Sequence, residues 1–461
     1  MLTYDMEDRK GLARYDYLYR CIKEDILAGR LAAGEKLPSK RALAGHLEVA
    51  VVTVENAYAQ LVAEGYLYAR EKRGYFVSEL APLPAAENAP PEEEMTRQTR
   101  SWRLDLKQGG GGTEGFPFSV WARLMRRALT ERGEELLRAT PHSGAMELRK
   151  AISAYLYRFR GISACPEQIV VGAGTEYLYN LLVQLLGRDR LYGAEDPGYS
   201  KAVEIYALNG ACCLPLPVDA QGVSADTLES KGVQVLHISP NHQFPMGIVT
   251  PIGRRQSLLH WAERGDRYII EDDYDSEFRF TGRPIPTLQS IDRAGRVIYV
   301  NTFSRTLAPS LRISYMVLPR SLMGEYRSRL GFYSCTVPAM EQYTLAAFLD
   351  GGYFESHVNR MRVYYRGLRD RVMEVVRSGP LAGRAEIQNE STGLHFLLRL
   401  DTEKNDRELA AQASRKGLRL SFLSDYERTE GAAPAHTLIV NYPGVGPERF
   451  GEAMELLAPM L

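Results

Sequence analysis

The sequence predicts an α/β protein carrying an N-terminal winged helix-turn-helix, on three observations. Three short helical segments and two aromatic-rich strands fill the first 79 residues. A Pro-, Ala- and Glu-rich stretch follows. From Trp102 onward, short apolar runs alternate with amphipathic helical segments, the pattern of a sheet covered by helices.

Composition narrows the function classes. With 461 residues the chain is long enough for two or three domains and a sizeable core. Lys plus Arg equals Asp plus Glu, at 57 each, so the net charge is zero, and the composition is that of a soluble globular protein. No apolar run approaches the ~20 residues of a membrane span, and the polar start Met1-Leu2-Thr3-Tyr4-Asp5 lacks a signal-peptide pattern, so a cytoplasmic location is expected. The five cysteines are odd in number, without CxxC spacing, and the eight histidines are scattered, so neither a disulfide framework nor a metal site is expected.

In the first 79 residues, Arg14 to Leu27 has helical periodicity. Pro38-Ser39-Lys40-Arg41 begins a second helix with Ser39 as its N-cap, and Thr53 to Ala63 fits a third. After Gly65, Tyr66-Leu67-Tyr68-Ala69-Arg70 and Gly74-Tyr75-Phe76-Val77 flank the charged turn Glu71-Lys72-Arg73, a hairpin that forms the wing. Residues 80–101 contain Pro82, Pro84, Pro90, Pro91 and Glu92-Glu93-Glu94 with no apolar periodicity, and read as a linker. Such a tether spans roughly 25 Å as a coil and about 60 Å as polyproline II, enough to place the first domain on a partner subunit.

The stretches Leu37-Pro38-Ser39-Lys40-Arg41-Ala42-Leu43-Ala44, Thr53-Val54-Glu55-Asn56-Ala57-Tyr58, Leu61-Val62-Ala63-Glu64-Gly65-Tyr66-Leu67 and Gly74-Tyr75-Phe76-Val77 resemble the GntR family of bacterial regulators across the whole first domain. A domain of this kind sets its third helix in the major groove, while its second helix and wing contact phosphates. Ser39, Lys40, Arg41, Thr53, Asn56, Lys72, Arg73 and Gly74 are the candidate DNA-binding residues. Val51 and Val52 stand where the family usually has an arginine. Basic and acidic residues balance over 1–80, so non-specific affinity for DNA should be modest. A winged helix serving protein contacts is the alternative; the clusters Lys36/Lys40/Arg41 and Arg70/Lys72/Arg73 favour DNA.

In the larger part, 102–461, five strands are expected at Ile169–Val171, Arg190–Gly193, Val233–Ile238, Tyr268–Ile270 and Val297–Val300. Their carboxyl ends are where ligands of open α/β sheets gather. Gly172-Ala173-Gly174-Thr175-Glu176 follows the first and opens a helix at Tyr177, so the N–H groups of Gly174 and Thr175 suit a phosphate. Tyr199, after the second, offers a ring to stack on a flat heterocycle. Asn241 and His242, after the third, offer an amide and an imidazole to a ring oxygen. Glu271-Asp272-Asp273-Tyr274 follows the fourth; a buried carboxylate there would hold a pyridine nitrogen protonated. Ser304 and Arg312, after the fifth, suit a phosphate. Gly110-Gly111-Gly112-Thr113-Glu114-Gly115 matches GxGxxG, but Pro117 follows directly and no βαβ unit surrounds it, so it reads as a loop.

Phe116-Pro117-Phe118-Ser119-Val120-Trp121, Gly144-Ala145-Met146-Glu147-Leu148-Arg149, Glu271-Asp272-Asp273-Tyr274-Asp275-Ser276-Glu277-Phe278 and Ser310-Leu311-Arg312-Ile313-Ser314-Tyr315 resemble the fold-type I (class I/II) aminotransferase domain of the MocR/GabR subgroup of GntR regulators, over residues 102–461. The resemblance implies pyridoxal 5'-phosphate as cofactor, with Asp272 on the pyridine nitrogen, Tyr274 on the ring hydroxyl, and Ser304 and Arg312 on the phosphate. It also implies a domain-swapped homodimer, operator DNA as partner and a small amino compound as effector.

The chain departs from that pattern at Arg305, which stands where the family has the lysine that binds the cofactor covalently. A guanidinium stays protonated and delocalised, so it cannot form that bond. No catalytic residue is therefore assigned, and the cofactor is expected to bind non-covalently or already joined to an amino compound. Ala139-Thr140 replaces a tyrosine of many relatives, and His436–Tyr442 lacks the arginine that often clamps a substrate carboxylate, leaving Arg399 or Arg419 as substitutes. The function expected is a DNA-binding transcription regulator whose aminotransferase-like domain senses pyridoxal phosphate or an amino compound. The rival is a working aminotransferase with a DNA-binding appendage, against which Arg305 argues. Arg305 is compatible both with a natural replacement and with a substitution introduced into a lysine-bearing parent.

Overall fold

The computed structural model describes residues 2–7, 11–80, 102–107, 115–280, 285–390 and 393–461. Of the expected linker at 80–101, residues 81–101 lie outside the described residues, as do residues 110–114 of the glycine run. The chain divides into two compact units, within 1–99 and 100–461.

The N-terminal unit consists of α1 (Arg14–Leu27), α2 (Lys40–His46) and α3 (Val51–Ala63), then the antiparallel pair β1 (Leu67–Arg70) and β2 (Gly74–Val77). In α1, Leu18, Ile22 and Ile26 recur every four residues and so share one face. They are buried against Leu43, Val54, Tyr58 and Leu61. Each such side chain contributes about 1.5–3 kcal/mol relative to exposure. Ser39 caps α2, its side chain accepting from the Ala42 N–H at 3.2 Å. The third helix begins at Val51, two residues before the expected Thr53, with Val51 and Val52 exposed. The hairpin turn needs left-handed backbone at Lys72 (φ 58°), and Gly74 (φ 106°) closes it.

The larger unit begins with β3 (Leu104–Asp105), α4 (Phe118–Arg132) and α5 (Met146–Arg160). Its centre is a seven-stranded sheet: β4 (Ile169–Gly172), β5 (Tyr192–Asp196), β6 (Cys213–Pro217), β7 (Val235–Ile238), β8 (Tyr268–Asp272), β9 (Val297–Thr302) and β10 (Ser314–Val317), in the order β4-β10-β9-β8-β7-β5-β6. Only β10 runs against its neighbours, β4 and β9. Every residue of β8 and β9 is buried, as expected for strands covered on both faces. Two strands had no clear sequence signal. Cys213-Leu214-Pro215-Leu216-Pro217 contains two prolines, tolerated because β6 lies at the sheet edge, and β10 follows the Arg312 loop so closely that it merges with it in sequence.

The connections that matter most are α6 (Thr175–Leu186) after β4 and α7 (Ser200–Leu208) after β5. The chain closes with β11 (Ala385–Gln388), β12 (Phe396–Leu400), β13 (Leu418–Arg419) and β14 (Thr437–Val440). An antiparallel sheet β11-β12-β14 packs on the 26-residue helix Tyr353–Ser378, and β13 pairs in parallel with β3.

Candidate functional site

The carboxyl ends of β4, β5, β7, β8 and β9 converge on a cleft of about 310 Å³, at the lower end of the size range of small-molecule sites. Gly174, Thr175, Tyr199, Asp272, Tyr274, Ser304, Arg305 and Arg312 all line it. These residues are scattered over 139 positions of sequence and meet only because parallel strands bring their ends together.

One wall is the start of α6. Gly174 is its N-cap, at φ 97°, and a Cβ there would overlap the Arg312 guanidinium. The helix starts at Thr175, two residues before the expected Tyr177, so the free N–H groups of its first turn face the cleft end of the sheet. Arg312 adopts left-handed backbone (φ 50°), the conformation that turns the chain from the Ser304 loop into β10. Its guanidinium is ion-paired with Glu176, and Lys201 Nζ lies 3.5 Å from the same carboxylate. Burial raises the Glu176 pKa, but the hydrogen bond and charge of Arg312, with help from Lys201, outweigh it and hold the carboxyl below its ordinary range.

The floor is the end of β8. Asp272 is 6% exposed; its Oδ2 accepts from the Tyr179 hydroxyl and lies 3.6 Å from His237 Nε2. His237 in turn shares a hydrogen bond with Tyr206 at 2.7 Å. Asp272 Oδ1 is buried with no hydrogen-bond partner among the described residues, and so is Ser304 Oγ. A buried polar atom left unpaired costs about 1–3 kcal/mol. Two of them lie on this one cleft, where a polar ligand would satisfy both. A flat pyridine carrying a phosphate fits this donor set: a carboxyl at the floor, cations and helix N–H groups at one end, and the Tyr199 ring at the side.

Tyr199 is 38% exposed and packs edge-on to Phe244, with ring centroids 6.4 Å apart. Burial, then the charges of Glu176 and Asp272, push its hydroxyl up to about 12, with Arg305 and Arg312 opposing. Tyr274 is neutral for the same kind of reason: burial and Asp275 raise its pKa well above the ordinary value, again against Arg305. Both rings therefore keep their protons at physiological pH.

Two expected ligand contacts are corrected. Asn241 and His242 do not line the cleft. Asn241 donates to Asp273 at 2.8 Å and accepts from Arg255 at 3.0 Å, so its amide is committed to an interior ion network. His242 Nδ1 lies 2.9 Å from Asp275 and 3.1 Å from the Tyr274 hydroxyl, which places it behind Tyr274. Phe244 takes the place beside the cleft instead. Arg399 and Arg419 do not line it either: Arg399 points outward from β12, and Arg419 pairs with Asp105 at 3.2 Å over the Trp102 ring.

Glu176, Tyr179, Lys201 and Phe244 are cleft residues that the sequence patterns did not single out. A signal existed for Tyr179, one helical turn beyond Thr175 and hence on the same face. None marked Lys201, which reaches the cleft through the path of α7.

In the N-terminal unit, Arg41, Asn56, Lys72 and Arg73 are exposed, and Thr53 and Gly74 are half-buried. Ser39 is used as the α2 cap. Lys40 bridges from α2 to Glu55 of α3, with Nζ 5.8 Å from the Tyr75 ring centroid.

Residues 14–77 match the family of bacterial regulatory proteins of the gntR type. Over nearly its whole length the chain is similar to the uncharacterized HTH-type regulator YdeL of Bacillus subtilis, at 38% identity over 96% of each protein. It is 34% identical to the probable rhizopine catabolism regulatory protein MocR of Rhizobium meliloti, over 95% of this chain and 92% of that one. The pyridoxine biosynthesis regulator PdxR of Corynebacterium glutamicum is 31% identical over 89% and 88%. Among solved structures, an archaeal alanine:glyoxylate aminotransferase superposes with a TM-score of 0.69 at 24% identity, covering 77% of this chain and 90% of that one, which shows the fold alone.

A winged helix-turn-helix joined to an aminotransferase-type α/β unit defines a DNA-binding transcription regulator. The chain belongs to the MocR-type regulators of the GntR family.

Proposed function

We propose that this regulator takes pyridoxal phosphate, alone or already joined to an amino compound, non-covalently in the cleft of its larger domain, and that occupancy changes operator affinity. The observation that carries this reading is the pair of buried, unpartnered atoms, Asp272 Oδ1 and Ser304 Oγ, on a cleft that also holds Arg312 and the start of α6. Similarity to a regulator named for pyridoxine biosynthesis supports it. Bound there, the group would supply an electron-withdrawing pyridine ring and an aldehyde. Asp272 would hold the ring nitrogen, Tyr274 the ring hydroxyl, and Gly174, Thr175, Ser304 and Arg312 the phosphate, with Tyr199 against the ring face. The guanidinium of Arg305 offers no amine to bind the aldehyde covalently, so no transamination is expected.

The working unit on this reading is a cytoplasmic homodimer with domains 1–79 and 102–461 joined by a linker at 80–101. The ligand acts by binding two dimer arrangements unequally. Two half-sites on the operator follow from the dimer. The test is titration of the full chain with pyridoxal phosphate, followed by borohydride reduction, beside Arg305→Lys. Reversible binding without an adduct at residue 305, and a lysine adduct in the variant, is the expected result; no binding by either protein overturns the reading.

A further inference from the structure

The cations at the phosphate end of the cleft already hold an anion. Glu176, in the first turn of α6, is ion-paired with Arg312 and lies 3.5 Å from Lys201 Nζ, and all three line the same cleft. Gly174 leaves room for the Arg312 guanidinium beside this carboxylate, since any Cβ would overlap it. Glu176 is not needed as a helix cap: α6 has a glycine N-cap without a side-chain bond, and the Glu176 oxygens go to the two cations.

Alongside this satisfied pair, Asp272 Oδ1 is buried and unpartnered on the same cleft. The floor thus carries an unpaired acceptor, while the cations at the phosphate end have an internal partner. Resting on the function proposed above, we infer that Glu176 is a specificity-determining residue: an internal anion that a ligand must displace from Arg312 and Lys201, so that only a group with more negative charge than a carboxylate enters.

Charge and geometry set the selectivity. A phosphate carries up to two charges and three acceptor oxygens, and can engage Arg312, Lys201 and the α6 N–H groups together. A carboxylate offers nothing that Glu176 does not already provide, and Glu176 is tethered, hence effectively concentrated. Unphosphorylated pyridines and simple carboxylates are therefore excluded from this end. The cost falls on affinity for the phosphorylated ligand itself, because the half-exposed pair must break when it binds. Exposed and half-exposed pairs are worth at most about 1 kcal/mol, which corresponds to an effect of roughly two- to five-fold.

The experiment is calorimetric titration of the full chain and of Glu176→Gln with three probes: pyridoxal phosphate, unphosphorylated pyridoxal and inorganic phosphate. The glutamine keeps shape and removes charge; Glu176→Ser serves if it folds poorly, with circular dichroism as the check. The expected result is that pyridoxal phosphate and inorganic phosphate bind about two- to five-fold tighter to the variant, while pyridoxal is unchanged. Unchanged phosphate affinity overturns the inference, as does weaker binding, which would make Glu176 a positioning residue for Arg312. Equal tightening of pyridoxal overturns it too. Inorganic phosphate tightening while pyridoxal phosphate binds neither protein would sustain Glu176 as the internal anion and sink the cofactor reading alone.

Discussion

Arg160 and Asp273 form an ion pair closed to solvent, with side chains 7% and 1% exposed, directly beside the cleft floor. Asp273 also accepts from the Tyr299 hydroxyl at 2.5 Å and from Asn241, while its own N–H donates to Val300 at 2.9 Å. One residue past the end of β8, it fixes the chain just where Asp272 must face the cleft. Removing one partner of such a pair leaves a buried charge uncompensated, at a cost of about 3–5 kcal/mol. Asp273→Ala should therefore lower the unfolding midpoint of the larger unit sharply and abolish ligand binding. Asp273→Asn, which keeps hydrogen-bonding atoms, should lower it less. Thermal unfolding followed by near-ultraviolet circular dichroism checks both.

The pH dependence of stability should include a contribution from Glu195. Burial pushes its carboxyl up to about 8, against the Ser239 N–H and Gln243 that favour the ionised form. A raised carboxyl pKa means the folded state binds the proton more tightly than the unfolded state does. Stability from this group is thus greatest below the ordinary carboxylate range and declines as pH rises toward 8. Glu195→Gln should be more stable than the parent at pH 8 and gain little at pH 5, measured by urea unfolding at the two values.

Gly174 should resist substitution for two separate reasons. Its φ of 97° disfavours any side chain, and a Cβ would collide with the Arg312 guanidinium. Gly174→Ala should weaken inorganic phosphate and pyridoxal phosphate binding about ten-fold, the scale of one lost charge-assisted hydrogen bond, with the fold retained. Calorimetry on the variant reads the loss directly.

On the DNA side, Arg41 is exposed near the start of α2, one residue from Lys40, whose amine is committed to Glu55. Arg41→Ala should weaken operator binding about several-fold and reduce the salt slope by roughly one. Mobility shifts on the upstream region of its own gene at several salt concentrations measure both, and binding that stays uniform along the DNA would contradict an operator.

The elements of the N-terminal unit were legible because each has a local cause. Ser39 caps α2, the four-residue spacing of Leu18, Ile22 and Ile26 makes α1, and the glycine at 74 closes the wing. Five strand cores of the large sheet were legible as apolar runs, and the cleft-lining residues Gly174, Tyr199, Asp272, Tyr274, Ser304 and Arg305 because each ends or shortly follows such a run, whereas Arg312, ten residues past the end of β9, was found through the family resemblance. The identity of Arg305 alone removes the amine that covalent catalysis would need, since no fold alters the chemistry of a guanidinium.

The tertiary structure decided what those side chains touch. Asn241 and His242 sit in a segment that points toward the site in sequence, yet Arg255, Asp273 and Asp275 draw them into the interior, because buried charges must be paired wherever the packing places them. Lys201 and Glu176 lie 25 positions apart on different helices, and nothing local announces that they meet over Arg312. The parallel sheet is the reason: it gathers loop ends from distant parts of the chain into one cleft. Which charges neutralise one another there depends on distances of a few ångströms that no one-dimensional pattern contains.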